Sequence, residues 1–261
     1  MSTVPPSATI TAPTTQPPGR PPAGPGVVAL RVLGAGLAVL LIAGATFGVV
    51  AQFFRQSRTA TRVYPGVTAV SVSATTGAVT VRTGSPGGQV TVTRHLTWSF
   101  LAPTSVETVT GGRLDVRADC DSAVGLGLCS VGYDLVVPPD LPLTLETHTG
   151  TIEVDGVTGD LTASTSTGSV ELRRIGSSRV EAHTSTGSVE VGFTAAPDDV
   201  RADTSTGSVE VVVPADGLAY AVSASTSTGS TEVRVPSDPA SSHRISAHTS
   251  TGSVEVRTTS P

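Results

Sequence analysis

The chain has 261 residues and a formal net charge of −5, with only 3% aromatic and 14% charged residues. All 16 of its positive residues are arginine, which excludes Schiff-base chemistry, a P-loop lysine and other lysine-dependent mechanisms. A core so poor in large side chains must be thin and repetitive, filled by Val, Ala and Thr methyl groups, and that favours strands.

Charge is segregated along the chain. Residues 1–62 carry Arg20, Arg31, Arg55, Arg58 and Arg62 and no acid, while the remainder holds 11 Arg against 21 Asp plus Glu, a net −10. A negative, hydroxyl-rich domain is a poor nucleic-acid binder, because phosphate contacts need clustered positive charge. No nucleic-acid partner is expected.

Residues 1–26 are Pro, Thr and Gly without hydrophobic period, and cannot bury enough apolar surface to offset their ordering entropy. They read as a disordered tail; O-glycosylation is the other meaning of such a composition. Residues 32–54, V-L-G-A-G-L-A-V-L-L-I-A-G-A-T-F-G-V-V-A-Q-F-F, are uncharged and bracketed by Arg31 and Arg55. As a helix this run would be about 34 Å long, enough for a hydrocarbon core of about 30 Å. It is too long and too late for a simple signal peptide. A single transmembrane helix is expected within 27–54, followed by a linker over 55–66. Gly44 and Gly48 have the G-x-x-x-G spacing that could pack two helices into a weak homodimer.

The arginines flanking the run are nearly balanced and lean slightly toward an internal C-terminal domain. The two cysteines argue the other way. Cys120 and Cys129 lie close together, and a local pair suits an oxidising compartment. Bridged, they would close a small loop worth about 2.5–3 kcal/mol on the chain-entropy model; two reduced buried thiols are the alternative. No second Cys or His pair accompanies them, so no zinc site is expected.

From residue 67 onward the pattern is strand and turn. Six copies of one motif align on a glycine: T-G-T-I-E-V at Gly150, T-G-S-V-E-L at Gly168, T-G-S-V-E-V at Gly187, Gly207 and Gly252, and T-G-S-T-E-V at Gly229. Two degenerate copies precede them, T-G-A-V-T-V at Gly77 and G-R-L-D-V-R at Gly112. A period of about 20 residues with strand-like content predicts a solenoid, in which each unit buries its face only on its neighbours. The expected fold is therefore all-β, a single β-solenoid (β-helix) domain over 67–261 preceded by one transmembrane helix.

The columns of the repeat assign faces by the period-two rule. Leu145, Ala163, Ala182, Ala202, Ala224 and Ala247 should point inward, as should the pairs from Ile152/Val154 to Thr231/Val233 and Val254/Val256. Thr147, Thr165, Thr184, Thr204, Thr226 and Thr249 share the Ala parity, so an inward ladder of threonines bonding one another is expected. Length variation should fall in the opposite loops, 194–199 and 237–242. Glu153, Glu171, Glu190, Glu210, Glu232 and Glu255 should face outward, with Asp115 in the degenerate copy. Stacked in register they would lie about 4.8 Å apart and repel by roughly 1 kcal/mol per neighbouring pair in water. Arg117, Arg173, Arg234 and Arg257, two residues on, are candidates to offset this, and bound cations are another. The stripe is the one candidate binding feature; its plainer reading is a solvated acidic face that discourages lateral aggregation.

The stretch from 133 to 172, Y-D-L-V-V-P-P-D-L-P-L-T-L-E-T-H-T-G-T-I-E-V-D-G-V-T-G-D-L-T-A-S-T-S-T-G-S-V-E-L, resembles the bacterial putative-adhesin family, a domain of unknown function. Its hallmark is a V-P strand leading into repeated G-x-(I/V)-x-(V/L) turns, and the likeness extends over about 67–261. The resemblance implies a β-helical repeat domain, often behind a membrane anchor or within the cell envelope, with no established activity and no functional residue to carry over.

Catalysis is not expected. Asp198–Asp199, Asp155/Asp160 and the glutamate column are the only carboxylate candidates, and glycoside hydrolysis wants two carboxyls in unlike environments rather than six alike. His183 and His248 share a column but stand three repeats apart in sequence, near 14 Å at about 4.8 Å per rung, too far to share a metal. No cofactor and no metal are expected. A membrane-anchored, non-catalytic adhesion-type module outside the cell membrane fits best, with envelope glycans or another envelope protein as partners. A polymerising scaffold or envelope stress-response accessory protein is the alternative, and a polysaccharide-active β-helix enzyme a remote one.

Overall fold

The computed structural model describes residues 33–46, 55–84, 88–99, 101–120 and 129–259. It has two compact units, Met1–Val50 and Ala51–Pro261. In the first, residues 33–46 form a helix whose Leu37, Val39, Leu40, Leu41 and Ile42 are all exposed, so that it is apolar right round. No helix among the described residues is long and apolar enough to cross a membrane. Of the expected span 27–54, residues 27–32 and 47–54, Gly48 among them, lie outside the described residues, as does the tail 1–26.

The second unit is all-β. The segment read as a linker is in fact strand β1 (Gln56–Pro65); β2 (Ala69–Thr76) and β3 (Val79–Thr83) follow, meeting at Gly77. Next come β4 (Gln89–Trp98), β5 (Thr104–Thr110), β6 (Arg113–Asp119) and β7 (Cys129–Val137). The chain then runs in pairs, each meeting at a Thr-Gly corner. These are β8 (Leu143–Thr149) and β9 (Ile152–Asp155), β10 (Leu161–Thr167) and β11 (Val170–Ile175), and β12 (Arg179–Thr186) and β13 (Val189–Phe193). The last three pairs are β14 (Asp199–Thr206) and β15 (Val209–Val213), β16 (Ala221–Thr228) and β17 (Thr231–Arg234), and β18 (Arg244–Thr251) and β19 (Val254–Thr258).

One strand of each pair joins a ten-stranded sheet A and the other a nine-stranded sheet B, so each pair is one rung of a two-sheet parallel stack. The order of sheet A is β1-β4-β7-β3-β9-β11-β13-β15-β19-β17, and that of sheet B is β16-β18-β14-β12-β10-β8-β2-β6-β5. The stack is thus not sequential. At one end β6 and β7 lie outside β2 and β3, and the antiparallel strands β1, β4 and β5 close that end. At the other, the last repeat in sequence inserts between the two before it, so the Gly229 copy, not the Gly252 copy, is terminal.

The physical reason stands in the sequence. The Gly229 copy carries Thr231 where the others carry Val or Ile, and Thr231 and Val233 are exposed, not inward-buried as expected. Val254 and Val256 of the last copy are 1% and 0% exposed. The rung with the polar substitution makes the free end, where a fully apolar face would remain in water. Tyr220 pins the crossover: it is fully buried, its N–H donates to the Pro236 carbonyl at 2.9 Å, and its carbonyl accepts from Asp238 at 3.0 Å. The loops 194–198 and 235–243 absorb the length variation, as the spacing predicts.

The Gly112 copy is not a rung corner. Gly111 and Gly112, at φ +58° and +83°, make the tight turn joining β5 to β6 in an antiparallel hairpin. Between β6 and β7 the structure instead joins Cys120 to Cys129 by a disulfide with Cα atoms 5.7 Å apart; residues 121–128 lie outside the described residues. A covalent bridge thus links the end of β6 to the start of β7.

The threonine column is inward and buried in the internal rungs, but its members do not bond one another. Each hydroxyl donates to the corner-glycine carbonyl of the adjoining rung: Thr147 to Gly77 (3.2 Å), Thr165 to Gly150 (3.0 Å), Thr184 to Gly168 (2.8 Å), Thr204 to Gly187 (2.9 Å), Thr249 to Gly207 (3.0 Å) and Thr226 to Gly252 (3.1 Å). The corner turns this carbonyl away from the backbone ladder, and a buried carbonyl left unpaired is costly. Thr184→Val, which keeps the shape and removes the donor, is expected to cost about 1–3 kcal/mol. Thr184→Ser should retain most of that term, and the urea midpoints of the two variants check the difference.

Candidate functional site

The glutamate column lies on the outer face of sheet A in unbroken register. Glu153 pairs with Glu171, Glu171 with Glu190, Glu190 with Glu210, Glu210 with Glu255, and Glu255 with Glu232. The last two are exchanged relative to sequence order because the last repeat inserts one rung early. Thr80 and Asp134 continue the row on β3 and β7. Asp115 does not belong to it: β6 lies in sheet B, where Asp115 pairs with Ser71, and Arg117 is in sheet B as well.

Three of the four proposed arginines offset the row. Arg173 bonds Glu171 at 2.5 Å; Arg257 bonds Glu210 at 2.6 Å and reaches Glu255 at 3.6 Å; Arg234 lies 2.5 Å from Glu232 and 3.3 Å from Glu255. These pairs are partly exposed and individually contribute little, but they interleave the like charges that stacking forces together. Glu153 and Glu190 have no ion-pair partner among the described residues. A shallow depression beside the first is lined by Thr80, Arg82, Glu153, Asp155, Glu171 and Arg173.

Sheet B turns a hydroxyl-rich face outward. Ser73, Thr75, Glu146, His148, Ser164 and Ser166 line an open depression of about 440 Å³. Farther along the same face the row reads Ser164, His183, Asp203, His248, Ser225. His183 and His248 are therefore two rungs apart, not three, with Asp203 between them and about 9.6 Å separating their strands. Among the described residues no three His, Cys, Asp or Glu side chains converge as a metal site. Of the other carboxylate candidates, Asp155 bonds Arg174 at 2.5 Å, Asp160 meets Arg179 at 3.3 Å and Asp198 meets His243 at 3.4 Å, while Asp199 pairs with Arg179 and Arg244 only as strand neighbours.

One constellation gave no signal in the sequence. Glu107 of β5 has a side chain only 2% exposed and is held by Arg94 at 3.2 Å, Arg62 at 3.5 Å and the Tyr64 hydroxyl at 2.5 Å. Arg94 also reaches Ser105, which bonds the Tyr133 hydroxyl at 2.9 Å. The network ties β1, β4 and β7 of sheet A to β5 of sheet B. Alternation along β5 gives no warning of it, since Val106 and Val109 are left exposed while the acid is enclosed.

Burial raises the hydroxyl pKa of all three tyrosines, Tyr64, Tyr133 and Tyr220, and pushes Tyr220 up to about 12. The Tyr220 hydroxyl has no hydrogen-bond partner among the described residues, so only desolvation and nearby Asp216 act on it. A raised tyrosine pKa means the neutral form is favoured by folding. Its contribution is complete below about pH 10, the ordinary tyrosine value, and is lost as pH climbs toward 12. Alkaline titration followed by phenolate absorbance and β-sheet circular dichroism should show late ionisation coinciding with loss of structure.

Residues 141–260 match the Toastrack DUF4097 family. That span holds the regular rungs from β8 to β19 and is narrower than the 67–261 over which the resemblance was expected to extend. No curated protein matches the sequence. Among solved structures, a putative cell adhesion protein from Clostridium sporogenes ATCC 15579 is 8% identical with a TM-score of 0.45, covering 78% of this chain and 100% of that one. A putative adhesin from Bacteroides fragilis NCTC 9343 is 12% identical with a TM-score of 0.37, covering 77% and 97%. What this chain shares with the Toastrack DUF4097 family is therefore residues 141–260, the regular stack from β8 to β19.

Proposed function

We propose that the protein is a membrane-anchored, non-catalytic binding module of adhesion type, held by residues 27–54 and presented outside the cell membrane. The observation that carries the reading is how the repeated residues are used. Glycine, threonine, alanine and valine columns are consumed by stacking, and what remains outside are flat polar rows spread over many rungs. Such rows suit an extended partner, an envelope glycan or another envelope protein, better than a small substrate needing convergent groups. The Cys120–Cys129 bridge favours an oxidising compartment, and the helical, all-round apolar stretch 33–46 supports an anchor.

Protease shaving of intact cells tests presentation. Degradation of the β unit is the expected result, and a protected β unit with freely labelled Cys120 and Cys129 would place it inside. Co-sedimentation of the detergent-solubilised chain with isolated cell-wall polymer tests binding. The free terminal rung β16/β17 favours a second reading, a scaffold that extends end to end. Concentration-dependent growth in light scattering without polymer binding would select that alternative.

A further inference from the structure

We propose that the outer face of sheet B is a glycan-binding track, in which Glu146 and His148 grip one sugar of an uncharged, linear chain laid along the stack. This rests on the binding-module reading above and names the polymer and the residues. Parallel register assembles the site. Glu146 of β8 lies between Ser73 of β2 and Ser164 of β10, and the next outward residues on the same strands are Thr75, His148 and Ser166. Long side chains on the middle strand thus stand between short ones on both flanks, and that contrast makes the open depression of this face. Glu146 and His148 are exposed, and neither side chain has a polar partner among the described residues. Two residues apart on one strand, they stand about 6.6 Å from each other. A carboxylate that accepts from neighbouring hydroxyls and an imidazole that donates or accepts suit a sugar ring lying between them.

From Ser166 onward the same outward position is serine on every rung. Ser185, Ser205, Ser250 and Ser227 follow in spatial order, about 4.8 Å apart from strand to strand. Their hydroxyls make no hydrogen bond among the described residues, so stacking does not require them. The outward positions before them vary freely by comparison: His183 and Asp203 stand where Ser164 and Ser225 do, and Glu181 and Arg201 where Ser223 and Ser246 do. A residue that repeats on an exposed face without structural need points to a partner outside the chain.

The chemistry of the face selects that partner. From β2 to β16 none of these three outward rows holds an apolar side chain, whereas protein interfaces are centred on aromatic or aliphatic ones. Arg201, the one arginine in them, is held by Asp203 at 2.8 Å, so nothing there draws a polyanion. An uncharged chain of hydroxyl-bearing rings is what fits. Without a Phe, Tyr or Trp platform each sugar contributes little, and affinity must accumulate along the chain.

The detergent-solubilised full chain is titrated with the dimer and the hexamer of N-acetylglucosamine, and the histidine ring protons are followed by NMR, with His148 assigned from His148→Gln. The expected result is movement of the His148 signal, while those of His95 in sheet A and His243 in the crossover loop stay still. The hexamer should bind about tenfold more tightly than the dimer. Glu146→Gln should weaken both about tenfold, and Ser205→Ala with Ser250→Ala should weaken only the hexamer, about fivefold. The same proteins are sedimented with cell-wall polymer before and after it is stripped of protein. A chain that sediments with stripped polymer but leaves His148 unmoved, or binds unchanged as Glu146→Gln, overturns the track and leaves the binding-module reading standing. Sedimentation lost on stripping assigns a protein partner and overturns the glycan. A chain that neither sediments nor moves His148 overturns both.

Discussion

Gly187→Ala is expected to destabilise the β unit by more than about 4 kcal/mol, a loss few single substitutions reach. Two independent costs meet at this corner. Gly187 has φ +142°, outside what an L side chain adopts readily, and a Cβ there would overlap the Gly168 carbonyl of the adjoining rung. The obstacle is backbone, fixed by the Thr184 hydroxyl that the same carbonyl accepts, so it cannot swing aside. Gly217→Ala is the control. It also has a positive φ, +80°, but nothing lies within 4 Å of its would-be Cβ, and it should cost only about 1–2 kcal/mol. Equal shifts in urea midpoint for the two variants would sink the account of the corner as a close backbone approach.

Glu107→Ala should cost about 3–5 kcal/mol, the penalty for stranding a buried ion's partner. Arg94, 19% exposed, would lose its carboxylate, and the Tyr64 hydroxyl its acceptor. Glu107→Gln keeps the volume and one acceptor and should fall between alanine and wild type. Replacing both Glu107 by Leu and Arg94 by Met should recover much of the loss, because the desolvation cost of the pair goes with it. Thermal melting of the four proteins distinguishes the cases. If the double replacement melts no higher than Glu107→Ala, the network contributes something other than paired charge.

The regular part of the stack was legible because every column recurs. Val170, Val189 and Val209 repeat at one offset from their glycines, and periodicity of that quality assigns the inward face without reference to any neighbour. What repeats cannot reveal is which copy sits beside which. Gly229 and Gly252 head nearly identical motifs, and only Thr231 distinguishes the terminal rung from an internal one. Its meaning depends on a free end that exists only in three dimensions. The same limit placed His183 and His248 a rung too far apart and put Asp115 in the wrong sheet. At the opposite end the chain leaves the repeat altogether. Glu107, Arg94 and Tyr64 lie on three strands with no common period, and their meeting follows from the antiparallel closure of β1, β4 and β5. The threonine column was read correctly as inward but paired with the wrong acceptor, since the corner carbonyl is free only after the glycine has turned.

The insertion of the last repeat also bears on biosynthesis. A chain that emerges N-terminus first can add rungs in order as far as β15, but β16 and β17 find their in-register neighbours only after β18 and β19 have been made. Completion of this end therefore waits until β19 has been made. A product cut short after β17 would lack Val254 and Val256, and with them the neighbour that covers Val209 and Val211. The fold thereby distinguishes a chain that includes β18 and β19 from one cut before them, because only the former can seat β16 and β17 in register.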